Sequence, residues 1–209
     1  MHKRPIRVLC VDDHAVVREG IAGLIGRQAD IKLVAAAASG EEAVALFRTT
    51  RPDVTLMDLQ LPGLSGLEAI RAIRQGFPDA RIIVLTMYQG DEDIYRALRA
   101  GAVTYLLKDT LADELVRVVR QVHSGKQPIN PDIQSRLDGR TGQPGLSPRE
   151  AQVIELIAVG MRNKEIAALL GISEDTVQVH VKNMLLKLNV HDRTAAVTVA
   201  LRRGIIHIR

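Results

Sequence analysis

Aromatic residues are nearly missing: three Tyr, two Phe and no Trp make up 2% of the 209 residues. Proteins that track single-stranded nucleic acid stack bases on aromatic rings, so this scarcity speaks against that class. The cores must be built from Val, Ile, Leu and Ala instead. Cysteine is down to one residue, Cys10, which excludes an intramolecular disulfide. Its place in the run Val8-Leu9-Cys10-Val11 reads as a buried small hydrophobe in a reducing, cytoplasmic setting. No apolar stretch is long enough to span a bilayer. No signal-peptide core follows Met1-His2-Lys3-Arg4-Pro5, so no membrane role is expected. A strong excess of one charge is also missing: the net charge is +4, about +1 within residues 1–127 and +3 within 145–209. The C-terminal part is the more basic, which permits DNA binding without establishing it.

What is present is an ordinary globular composition, 46% apolar and 25% charged, at a length that suits two domains. The first half alternates short apolar runs with helical patterns. Residues 6–11, 31–35, 54–57, 82–86 and 103–107 read as strands. Stretches 14–26, 40–49, 65–75, 91–100 and 111–124 carry apolar residues at helical spacing. Five β-then-α units in sequence predict a five-stranded, doubly wound parallel sheet of the flavodoxin-like kind, covered on both faces. The second half has no strand pattern and reads as a small all-α domain with helices at 147–159, 163–170, 174–188 and 192–203. Ser147-Pro148-Arg149-Glu150 is a helix start, with Ser147 as cap, Pro148 at the first position and Glu150 completing a capping box. Breakers in Gln127-Pro128-Ile129-Asn130-Pro131 and from Gly139 to Gly145 mark a linker. The expected domains are 1–124 and 145–209, with linker 125–144 and a short helical piece near 131–137.

The chemistry sits at the strand ends, where a doubly wound sheet binds its ligands. The first strand ends in Asp12-Asp13, the third in Asp58, the fourth in Thr86 and the fifth in Lys108. Any one of these acids alone would serve as a turn former or helix cap. Five polar residues at one edge of one sheet can converge. Three converging carboxylates raise each other's pKa unless a cation lies between them, and Mg²⁺ with its oxygen ligands meets that need. A carboxylate nucleophile, a divalent ion, a lysine and a hydroxyl together are what phosphoryl transfer to an aspartate requires.

In the second half, helix 163–170, the turn Gly171-Ile172-Ser173 and helix 174–188 read as helix-turn-helix. Val177, Val181, Met184, Leu185 and Leu188 form one apolar stripe of the second helix. Gln178, Lys182 and Asn183 share another face with Val179. An exposed valine beside amide and ammonium groups suits a groove in DNA, where it can meet a thymine methyl. Read on pattern alone, an amphipathic helix packed in a bundle accounts for the same spacing.

Val11-Asp12-Asp13-His14, Leu56-Met57-Asp58-Leu59-Gln60-Leu61-Pro62-Gly63-Leu64-Ser65-Gly66, Leu85-Thr86 and Tyr105-Leu106-Leu107-Lys108 closely resemble the receiver domain of response regulators, over about residues 5–124. Leu146-Ser147-Pro148-Arg149-Glu150, Asn163-Lys164-Glu165-Ile166-Ala167, Ile172 to His180 and Lys187 to Ala196 resemble the LuxR-type helix-turn-helix, over about 145–206. Together they resemble a two-component response regulator of the NarL/FixJ type. The resemblance implies that Asp58 is the phosphoacceptor and that Asp12, Asp13, Asp58 and the backbone carbonyl of Gln60 hold Mg²⁺. It implies that Thr86 and Lys108 contact the phosphoryl group and that Tyr105 swings inward on activation. It implies DNA contacts from Gln178, Val179 and Lys182, and backbone contacts from Thr176 and Lys187. The implied partners are a sensor histidine kinase, double-stranded DNA and a second copy when phosphorylated, the last helix pairing the copies through Ala195, Val197 and Val199; RNA polymerase is a candidate. Two positions depart from the usual pattern: Leu61 precedes Pro62 where Met is common, and Thr104 precedes Tyr105 where Gly is common. Gln178 stands where many relatives carry Lys, which removes one cation from the groove face.

No enzyme activity is expected beyond self-phosphorylation and autodephosphorylation at Asp58. Phosphohydrolases of the haloacid-dehalogenase type also phosphorylate an aspartate at a strand end, but carry a second acid two residues on, where this chain has Gln60. A small-molecule sensor fused to the same helix-turn-helix would not need the five strand-end groups. A receiver that has lost its use of phosphate is a further alternative.

Overall fold

The computed structural model describes residues 4–87, 90–109, 112–128 and 145–207. The chain divides into two compact units, one built on a sheet and one on the last four helices. The inner part of the expected linker, with its short helical piece near 131–137, lies outside the described residues. Among the described residues no helix is long and apolar enough to cross a membrane.

The first unit alternates β1 (Ile6–Val11), α1 (Ala15–Gly26), β2 (Ile31–Ala37), α2 (Gly40–Thr50), β3 (Val54–Met57), α3 (Gly66–Gly76), β4 (Ile82–Thr86), α4 (Asp91–Ala100), β5 (Thr104–Leu107) and α5 (Ala112–His123). All strand pairs are parallel, in the order β2-β1-β3-β4-β5. The expected doubly wound five-stranded sheet is what forms. Strands β3 and β4 are buried at every position, and apart from Thr55 and Thr86 their residues are apolar. Val8, Leu56 and Ile83 join Val116, Val119 and Val122 of α5 in one cluster. Strand β2 runs two residues past the expected end, to Ala37. Alanine is a poor strand former, but Leu9, Cys10 and Val11 of β1 pair with Ala35, Ala36 and Ala37, and tertiary pairing overrides local preference. Cys10 is buried, and burial pushes its thiol up to about 12. It is the packed hydrophobe its neighbours suggested.

The second unit consists of α6 (Pro148–Ala158), α7 (Asn163–Leu170), α8 (Glu174–Leu188) and α9 (Arg193–Arg202). Two of these helices begin one residue later than expected because the first polar residue is the cap. Ser147 accepts from the Glu150 amide at 3.3 Å, and Asp192 accepts from Ala195 at 2.8 Å. Gly171 ends α7 in the left-handed conformation at φ +64, which lets the chain turn within three residues into α8. Ser173 then caps α8 by accepting from the Thr176 amide at 3.1 Å. Val177, Met184 and Leu188 of α8 are buried against Val153, Ile154 and Ile166, with Val181 and Leu185 half-buried beside them.

Candidate functional site

The sheet order sends the chain from β1 outward to β2 and then back across to β3. The crevice between β1 and β3 is therefore the switch point where such sheets bind ligands. Asp12 follows β1 and Asp58 follows β3. The two strand ends are tied together, since the Asp58 amide donates to the Val11 carbonyl at 2.9 Å. On the far side of β3 the Lys108 amide donates to the Thr86 carbonyl at 2.9 Å, which carries the β4–β5 pairing one step past the sheet.

The Lys108 ammonium lies between two buried acids, 2.7 Å from Asp12 Oδ2 and 2.7 Å from Asp58 Oδ2. Asp12 and Asp58 are 1% and 2% exposed. The Asp58 carboxyl stands above its ordinary range: burial lifts it, the bond to Lys108 opposes this, and the Asp12 charge adds to the lift. Burial pulls the Lys108 ammonium down, but the hydrogen bonds it donates to both carboxylates more than reverse this, and its pKa is raised. One cation shared by two buried acids leaves Asp58 undercompensated while the lysine is doubly served. Thr86 is fully buried, and its hydroxyl oxygen has no hydrogen-bond partner among the described residues. A buried hydroxyl left without a partner is costly.

Asp12, Asp13, His14 and Asp58 each bring one ligand atom within 4.8 Å of the others. The Gln60 amide approaches Asp58 Oδ1 at 3.4 Å, which draws the turn carrying its carbonyl toward that oxygen. This donor set, mostly oxygen and anionic, fits a hard divalent ion. Tyr105, on the buried strand β5, is 1% exposed.

On α8 the exposed face comprises Gln178, Val179, Lys182, Asn183 and Leu186. Val179 is 56% exposed and Leu186 70%. These positions recur at three and four residues and form one stripe opposite the buried one. A helix of this kind fits the major groove of B-form DNA. The other two residues expected to touch DNA have partners within the unit. Thr176 Oγ1 lies 2.8 Å from Ser173 Oγ, and Lys187 donates to the buried Glu150 at 2.7 Å. On α9, Val197 and Val199 pack partly against the unit's own core, and Ala195 is half-buried.

Residues 8–120 match the response regulator receiver domain, and residues 144–200 match the luxR family of bacterial regulatory proteins. The chain belongs to the response regulators. It is 42% identical to a nitrate/nitrite response regulator protein homolog of Haemophilus influenzae, over 91% of this chain and 94% of the relative. It is 38% identical to the response regulator VraR of Staphylococcus aureus, over 96% of this chain and 99% of the relative. In the crystal structure of the response regulator ChrA of a heme-sensing two-component system, 35% identity and a TM-score of 0.58 extend over 98% of this chain and 100% of that one.

In this response regulator the loop that carries Asp58 is seated by a glycine. A Cβ on Gly66 would lie 1.9 Å from the Asp58 carbonyl oxygen and 2.8 Å from the Leu59 Cα, both backbone atoms with nowhere to move. The bare Cα lets the first turn of α3 close on the Asp58 loop, where the Gly66 amide donates to Leu59 at 3.0 Å. Ser65 and Glu68 complete a capping box there. Gly66→Ala is expected to cost about 2 kcal/mol or more by overpacking and to slow phosphoryl uptake by moving Asp58. Thermal melting and uptake followed by mass spectrometry check both; an alanine variant that melts and reacts like the parent would refute the close-approach argument.

Sequence reasoning did not single out Arg18 or His14. Arg18 donates to the Asp12 carbonyl at 2.7 Å, and His14 Nδ1 lies 2.6 Å from Asp13 Oδ1. Spacing gave no hint of Arg18. His14 stood beside the acid pair, but an exposed histidine after two aspartates has no pattern of its own.

Proposed function

We propose that the chain is a phosphorylation-switched transcription regulator that takes a phosphoryl group on Asp58 from a sensor histidine kinase. The observation that carries the reading is the buried Asp58 carboxylate clamped to Lys108 at the switch point of the sheet. An Asp58 carboxylate oxygen forms the new P–O bond as the bond from phosphorus to the donor's nitrogen or oxygen breaks. Lys108 turns from the Asp58 carboxylate to the phosphoryl oxygens, and the idle Thr86 hydroxyl donates to another. Asp12, Asp13, Asp58 and the Gln60 carbonyl are the groups that would hold Mg²⁺, which supplies charge neutralisation between carboxylate and phosphoryl oxygens. The added charge pulls on Thr86 and Lys108, and the β4–β5 edge with Tyr105 passes the change on.

The output is DNA binding by α8, with Gln178, Val179 and Lys182 toward base edges and phosphates. Phosphorylation favours a dimer, whose two recognition helices read half-sites about one helical turn apart. No turnover of other substrates is part of this reading, since Gln60 provides no acid to the leaving group; only self-phosphorylation and autodephosphorylation remain. A DNA target and a phosphohistidine donor support a cytoplasmic location, with RNA polymerase as a candidate partner.

The test is intact-protein mass after incubation with acetyl phosphate and Mg²⁺. One phosphoryl adduct on the parent and none on Asp58→Asn is the expected result, together with tighter operator binding by the phosphorylated parent alone. An adduct that persists on Asp58→Asn, or operator binding indifferent to phosphorylation, overturns the proposal.

A further inference from the structure

We propose that His14 is an additional metal ligand of the acidic site, and that it turns a Mg²⁺ site into one that prefers first-row transition ions such as Mn²⁺ and Co²⁺. The inference rests on the metal reading given under Proposed function and adds to it a residue and a selectivity.

His14 is the N-cap residue of α1, yet its side chain makes no capping bond. The imidazole turns instead toward the acids. Its Nδ1 lies 2.6 Å from Asp13 Oδ1 and 3.3 Å from Asp12 Oδ1. Neighbouring ligands on an octahedral ion with bonds of about 2.1 Å lie about 3 Å apart, and the two separations bracket that edge. The oxygens are divided in a way that leaves room for both cations. Asp12 and Asp58 give Oδ2 to Lys108, while Asp12 Oδ1 faces His14 and Asp58 Oδ1 faces the Gln60 amide. An ion seated among the Oδ1 atoms need not displace the lysine. The Asp12 Oδ1 position is fixed in turn by the His14 backbone amide, which donates to it at 3.0 Å.

The simpler account is a hydrogen bond from the ring to Asp13. That account explains the 2.6 Å contact and leaves the approach to Asp12 without a purpose. In the liganded form the ring carries its proton on Nε2, and Nδ1 presents its lone pair to the ion. At 67% exposure the ring can exchange tautomers through water, releasing the Nδ1 proton as Nε2 takes one up. Imidazole nitrogen is a poor ligand for Mg²⁺ and a good one for later divalent ions, whose affinity rises from Mn²⁺ through Co²⁺.

The experiment is metal titration of the full chain by calorimetry with Mg²⁺, Mn²⁺ and Co²⁺, for the parent, His14→Ala and His14→Gln. Pulsed electron paramagnetic resonance of bound Mn²⁺ is read alongside, because a directly bound imidazole nitrogen modulates the echo. The parent should prefer Mn²⁺ and Co²⁺ over Mg²⁺ by at least about tenfold. Both variants should lose that preference and the nitrogen modulation while keeping Mg²⁺ affinity within about twofold. Thermal melting of the variants shows that they fold. Variants that keep the transition-ion preference, or a parent without nitrogen modulation, overturn the role of His14 and leave the acid site standing. A parent that binds none of the three ions removes the metal reading itself, and the inference with it.

Discussion

Lys108→Met is expected to destabilise the receiver by about 3–5 kcal/mol in metal-free buffer, the cost of removing one partner from a buried ionic group. Methionine keeps the length and apolar stem of lysine, so the loss is one of charge. Asp12 and Asp58 would be left facing each other with no cation, each of them having bonded the same ammonium at 2.7 Å. The Asp58 carboxyl, already lifted by burial, should rise further. The direction of the pH effect follows from that lift. An acid whose folded pKa exceeds its unfolded value, ordinarily 3.8 for Asp58, favours folding once protonated. That contribution is complete below the unfolded value and is lost as pH rises through the folded one. The variant should therefore recover stability on acidification, and over a higher range of pH than the parent. If the acidic site holds a divalent ion as proposed, such ions should also restore stability, since the ligands are gathered only in the folded state. Thermal melts in chelator, in Mg²⁺ and across pH check this. A variant that melts with the parent in chelator would mean that the lysine contributes nothing to the resting fold. If Asp58 takes the phosphoryl group as proposed, the variant should also lose uptake, because the Lys108 ammonium is the group bonded to its carboxylate.

Glu150→Ala is expected to cost the DNA-binding unit about 2–3 kcal/mol, combining a lost helix cap with the loss of a charged hydrogen bond discounted for partial exposure of its partner. Glu150 Oε2 accepts from the Ser147 amide at 2.7 Å and from the Lys187 ammonium at 2.7 Å. It thereby ties the start of α6 to the last turn of α8. Burial pushes the Glu150 carboxyl up, but the bonds from Lys187 and Ser147 outweigh it and hold the carboxyl below its ordinary 4.5. A depressed acid stabilises the fold above its unfolded pKa, and the stabilisation is lost as pH falls through the folded value. The acid limb of the unit's stability should flatten in Glu150→Gln. The same contact separates two roles for lysines on α8. Lys187→Met should lower the melting temperature and leave the salt dependence of DNA binding unchanged. Lys182→Met should leave melting unchanged and reduce the salt slope by about one phosphate contact. A reduced slope for Lys187→Met would show that Lys187 reaches the phosphate backbone after all.

The parallel sheet was legible because buried parallel strands leave short, mostly apolar runs such as 54–57 and 82–86, and these alternate with longer stretches of helical spacing. Legibility failed where pairing rather than composition decides, as at Ala36 and Ala37, which are strand only because β1 lies beside them. The helix-turn-helix was readable from its turn and caps, since glycine and serine there act locally. The resemblance offers Thr176 and Lys187 as contacts to the DNA backbone, and sequence spacing shows no other partner for them. The fold adds one for each: Ser173, three residues from Thr176, and Glu150, 37 residues from Lys187.

The sequence by itself determined which residues stand at the strand ends, because hydrophobic periodicity and chain direction place the ends of parallel strands at one edge of the sheet. It also determined that a polar stripe runs along the second helix of the turn motif, because helical geometry sorts residues by spacing alone. Only the tertiary structure decided how those groups share their charges. The single lysine between Asp12 and Asp58, the idle hydroxyl of Thr86, the backbone that forbids a side chain at Gly66 and the imidazole of His14 turned to the acids all depend on distances across the fold. Electrostatics and close packing vary over ångströms between residues far apart in the chain, and sequence spacing carries no measure of that.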